Sequence, residues 1–177
     1  MKRLSIATAV FLAFAVAPAA QAEKLKVRLV GFQEVPSVST GASAEFEAVI
    51  NRAETAIDWQ LTYEGLESNA TQAHIHFGQR SVNGGISIWL CSNLASPPTP
   101  AGFNRACPLR AGSIAGTSMA SDVVGPAVQL INPGELAEII AAIRAGVAYV
   151  NIHTVEVPGG EIRGQFRRGH GPHGDHK

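Results

Sequence analysis

Ile57-Asp58-Trp59-Gln60-Leu61-Thr62-Tyr63 decides the fold class, because apolar and polar side chains alternate along it without a break. A period of two is the signature of a strand with one buried and one solvated face. Ile57, Trp59, Leu61 and Tyr63 fall on one face, with Asp58, Gln60 and Thr62 opposite, and Glu64-Gly65 closes the run. The pattern recurs on both sides. Leu25–Val30 and Glu45–Ile50 alternate before it, the second ending at Asn51-Arg52. After it come Ala73–Gly78, a hairpin-type turn at Asn83-Gly84-Gly85, and Ile86–Cys91. Further strands are expected near Ser113–Met119, Val147–Thr154 and Glu161–Arg167. Many short strands separated by turn signals predict an all-β antiparallel sandwich or barrel. One helix interrupts them. Asn132 is placed to cap it, Pro133 to occupy its first turn and Glu135 to reach back. Leu136, Ile139, Ile140 and Ile143 form its apolar stripe and Gly146 its end, which predicts a short helix lying as a lid on the sheet.

The first 22 residues read as an address. Lys2 and Arg3 precede an apolar run from Ile6 to Ala17, and Ala20-Gln21-Ala22 offers a cleavage site, so Glu23 is the expected new N-terminus. The expected organisation is a leader over 1–22, one domain over 23–168 and a polar tail over 169–177, with the mature protein periplasmic or secreted. No other stretch has the ~20 apolar residues of a membrane span. Charge is balanced, 14 Lys+Arg against 14 Asp+Glu, and no basic stripe exists beyond Arg167-Arg168, which argues against a nucleic-acid partner. Cys91 and Cys107 are the two cysteines. In an oxidising compartment they are expected to be bonded, closing a loop rich in Pro and Gly, since the short C-x-x-C spacing of a thiolate metal pair is absent.

His74 and His76 sit one residue apart on an expected strand, hence on one face and roughly 6.5–7 Å apart along the backbone. His153 lies on a later strand and is placed to supply a third imidazole to one metal ion. The competing reading is three ordinary histidines bonded to backbone or carboxylates. Three imidazoles without a thiolate or carboxylate favour copper, with zinc on three histidines plus water also allowed. Glu161, Arg163 and Gln165 share one face of the closing strand. Arg163 is a candidate to guide an anion or to support the metal site together with Glu161; alternatively it is paired with Glu161, Glu34 or Glu156 and serves structure. Gln33 and Glu34 read as backbone or arginine partners. In the tail, His170, His173 and His176 form a candidate metal-capture segment, the alternative being a solubilising end.

Three stretches carry a resemblance. Leu29–Pro36, Ala73–Gly78 and the long run Gly146–Thr154 continuing through Pro158–Gln165 resemble the opening, middle and closing motifs of the CHRD domain, the module repeated in chordin. The resemblance implies an immunoglobulin-like antiparallel β fold, an extracellular setting and no generally established catalytic activity. The insertion between Cys91 and Cys107 looks longer than the usual link there. The order of His74, His76 and His153 also resembles the copper ligands of the Greek-key copper–zinc superoxide dismutases, without a bridging histidine or a zinc-loop set. Three functions follow as expectations: a transition-metal binder using His74, His76 and His153; an extracytoplasmic module that binds another exported protein; or a copper-only oxidoreductase acting on superoxide.

Overall fold

The structure is a computed structural model that describes residues 21–168. The expected leader (apart from Gln21 and Ala22) and the tail histidines lie outside those residues. Among the described residues there are eight strands: β1 (Glu23–Val30), β2 (Ser43–Ile50), β3 (Ala56–Glu64), β4 (Ala70–Phe77), β5 (Gly85–Ser92), β6 (Gly112–Met119), β7 (Ala148–Thr154) and β8 (Ile162–Gln165). Helix α1 (Leu136–Ala145) lies between β6 and β7. Every strand pairing is antiparallel, in the order β5-β4-β7-β8-β1-β2-β3-β6 within one eight-stranded sheet. The all-β expectation holds.

The sheet curls until its ends almost meet. Ile88 on β5 makes a bridge with Val123, just past β6, and Val124 N–H donates to the Ser87 carbonyl at 2.9 Å. Ser92 N–H donates to the Arg105 carbonyl at 2.9 Å, and the Cys91–Cys107 disulfide ties β5 to the segment entering β6. The expected staple thus joins the two edges of the sheet. Covering both edges removes the exposed rows of backbone donors and acceptors that would template aggregation.

The two halves of the sheet differ in what covers them. On β3 the expected alternation is seen, Ile57, Trp59, Leu61 and Tyr63 buried and Asp58, Gln60 and Thr62 exposed. Strand β2 behaves likewise, packing Ala44, Phe46, Ala48 and Ile50 inward. On β7, however, all seven residues are buried. Ala148, Val150 and Ile152 enter the main core, while Tyr149, Asn151 and His153 lie on the opposite face beneath a layer of loops. That second, polar layer holds the site.

Helix α1 buries Leu136, Ile139, Ile140 and Ile143 in the core and ends at Gly146, whose φ of 70° is left-handed. One detail of its start differs from expectation. The helix begins at Leu136, because Gly134 at φ 91° breaks the chain after Pro133. Asn132 therefore caps no helical N–H; instead the Glu135 carboxylate reaches back to accept its backbone N–H at 2.7 Å and its side-chain amide at 3.2 Å.

Candidate metal centre

Pairing register brings the three histidines together. On β4, His74 stands opposite Asn151 of β7 and Trp89 of β5; His76 stands opposite Tyr149, and Gln72 opposite His153. Alternation then puts Trp89, His74, His76, Tyr149, Asn151 and His153 on one face, away from the apolar core. His74, His76 and His153 offer nitrogens that all lie within 4.8 Å of one another. Nitrogens of a tetrahedral site with bonds of ~2.0–2.1 Å stand about 3.3 Å apart, so small side-chain rotations would close the group on one ion.

Hydrogen bonds fix which nitrogens face inward. His76 Nδ1 lies 3.0 Å from the Gly84 carbonyl and His153 Nδ1 2.9 Å from the Pro158 carbonyl. A carbonyl only accepts, so each Nδ1 carries the proton and each Nε2 the lone pair. This is the arrangement in which outer-shell carbonyls orient metal-binding imidazoles. His76 Nε2 has no partner, and His153 Nε2 faces Asn151 Oδ1 at 3.1 Å, two acceptors that make no hydrogen bond while the ring is neutral with its proton on Nδ1. His74 is wholly buried and neither of its ring nitrogens has a partner. Leaving a buried polar group unpaired costs about 1–3 kcal/mol.

The electrostatics favour neutral rings. Burial pushes His74 well below the usual imidazole range, helped by His153 and His76. Burial lowers His76 to about 4, with His153 and the Arg163 guanidinium acting in the same direction and the Gly84 carbonyl against it. His153 is lowered by burial as well. Neutral imidazole is the form that binds metal, so at neutral pH no proton must first be displaced.

Around the triad lies a shell of which the sequence reading names Arg163 but not Trp89 or Tyr149. Trp89 packs edge-on against His74, ring centres 4.3 Å apart. Tyr149 stacks on His76 at 4.7 Å and 4°, and the Arg163 guanidinium lies 3.4 Å from the Tyr149 ring centre. Arg163 also donates to the carbonyls of Val82 and Gln79 and to Gln165 Oε1, each at 3.0 Å. It is a strut between β8 and the 79–82 loop that leads to Gly84. No ion pair among the described residues involves it. Glu161 is elsewhere: fully buried, it accepts hydrogen bonds from Thr40 Oγ1, Glu67 N–H and Thr154 Oγ1, tying two loops to β7. Glu34 is buried too, its carboxyl raised to about 7 by burial against the opposing pull of Val35 N–H and Arg163. Tyr149 and Asn151 were within reach of the sequence, being four and two residues before His153 on a strand. The position of Glu34 was not, since a loop delivers it.

The motifs that build this layer are those of a known family. The sequence model of the CHRD domain matches residues 25–166. The chain belongs to the CHRD domain family. No curated protein and no solved structure matches it, and the likeness of the histidine order to the superoxide dismutases is not borne out. In this CHRD domain the closing motif has a clear physical reason. Gly160, at φ 123°, has Glu34 Oε1 only 2.4 Å and Asn151 Nδ2 only 2.9 Å from where a Cβ would sit. Only glycine lets the loop lie over the site.

Proposed function

We propose that this CHRD domain is a transition-metal-binding protein that holds one ion through His74, His76 and His153, copper in preference to zinc. The observation that carries the reading is the buried trio itself, three imidazoles on adjacent strands with His74 paired at neither nitrogen. An ion bonded to His74 gives one of those nitrogens the partner that the protein withholds. With three nitrogen donors and no thiolate or carboxylate among them, divalent copper binds most tightly in the ordinary metal order. A disulfide between Cys91 and Cys107 suits an oxidising compartment, which supports export as the setting. Arg163 and Glu161 act as supports, the first on His76 through Tyr149, the second on β7.

His170, His173 and His176 would serve capture and delivery, with the strand site the tighter one because its ligands are already ordered. Calorimetric titration of a protein lacking 169–177 tests this division. One equivalent of copper should bind with little loss of affinity, and His76→Ala in the same background should abolish it. Loss of binding on tail removal, with His76→Ala harmless, would leave the domain as an interaction module.

A further inference from the structure

A second cleft lies behind the metal centre, on the far side of Trp89. It has a volume of about 300 Å³, the lower end of the range for small-molecule sites, and Trp89, Phe103, Arg105, Ser118, Ser121 and Asp122 line it. Its outer wall is the loop held by the Cys91–Cys107 disulfide, further fixed by Phe103 N–H to the Pro100 carbonyl at 3.1 Å and Cys107 N–H to Asn93 Oδ1 at 3.1 Å. A wall anchored this way loses little freedom when a ligand enters.

Two features define what fits. The first is aromatic: Trp89 and Phe103 stand 6.3 Å apart at 58°, offering apolar faces to a flat molecule. The second is a positioned cation. Arg105 lies over Trp59 at 5.0 Å and Phe103 at 5.7 Å, and donates through one amino group to the Leu90 carbonyl at 3.2 Å. None of the ion pairs among the described residues involves it. Its planar fork, held by two rings and one carbonyl, has donors left for a carboxylate. Ser118 Oγ accepts the Trp59 indole N–H at 2.9 Å, which leaves its own hydroxyl proton to donate. Asp122, the one acid on the wall, has an oxygen bound to Met119 N–H at 2.8 Å and disfavours a second negative charge on the ligand.

We infer that this cleft binds a small aromatic monocarboxylate, its ring against Trp89 and Phe103 and its carboxylate on Arg105. None of the residues lining the cleft is a proposed metal ligand, so the test uses metal-free full-length protein. Calorimetric titration with 4-hydroxybenzoate should show one site per chain, at least tenfold tighter than the neutral twin 4-hydroxybenzyl alcohol. Arg105→Gln should bring the two ligands to equal affinity. Ser121→Trp, on the exposed rim and outside the sheet, should block both, which covers the case where Arg105→Gln disturbs the fold. Equal affinity of acid and alcohol in the native protein, full retention of 4-hydroxybenzoate binding in either variant, or no binding at millimolar ligand would overturn the inference.

Discussion

His74 gains nothing from the surrounding protein that an apolar side chain would not supply. It is fully buried, packed edge-on against Trp89, and unpaired at both nitrogens. Such a group is a cost to folding that only a ligand offsets. Replacing an unsatisfied buried polar group by an apolar one of similar size is neutral or stabilising. His74→Leu should therefore leave the metal-free protein as stable as the native one, or more stable by about 1 kcal/mol, while abolishing copper binding. Chemical denaturation with and without copper checks both halves. A loss of several kcal/mol in the metal-free variant would show that the imidazole is a structural member of the layer.

At the scale of elements, the site depends on loops lying flat on a strand face. Gly159 and Gly160 are neighbours in sequence with opposite surroundings. A Cβ at 159 meets nothing within 4 Å, whereas one at 160 would strike Glu34 and Asn151 on a left-handed backbone. Gly160→Ala should cost roughly 1–3 kcal/mol and weaken metal binding, while Gly159→Ala should stay within about 0.5 kcal/mol. Thermal melts of the two variants decide it; equal effects would contradict the packing described. The same contrast shows what the sequence could disclose. Strands β1 to β3 were legible because each has one wet and one dry face, so alternation marks them. The histidine pair was legible for the same reason, and its meeting with His153 follows from antiparallel pairing of β4 with β7. The polar cover was not, because it arises when loops around Glu34, Gly84 and Pro158 fold over a face that alternation alone marks as solvated. The helix start was misplaced by one turn, since a cap at Asn132 competes with the left-handed Gly134 that follows it.

For the whole molecule, burying so many titratable groups in one layer links stability to pH, with opposing signs. His76 titrates at about 4 in the fold against an ordinary 6.5, so the unfolded chain takes up its proton first and stability drains away as pH falls from 6.5 toward 4. That window is worth about 3 kcal/mol for the one group. Glu34, raised to about 7, acts in reverse: its contribution is complete below the ordinary 4.5 and is lost as pH rises through 7. These two nearly cancel between 4.5 and 6.5, which leaves the lowered His74 and His153 to set the sign. The metal-free protein should therefore lose stability on acidification over this range. Glu34→Gln, which removes the opposing contribution, should lose it more steeply, by about 3 kcal/mol across the interval. Denaturant titrations from pH 7.5 to 4.5 measure both slopes; a native protein that gains stability toward pH 4.5 would contradict the burial of neutral histidines.

X-ray absorption at the copper edge, on protein lacking 169–177 and loaded with one equivalent, tests the central claim most directly. Three imidazole nitrogens at ~2.0 Å in the native domain, with no copper bound to His74→Leu, is the predicted result. A bound copper with fewer than three imidazoles in the native domain, or none bound after removal of the tail, would contradict it.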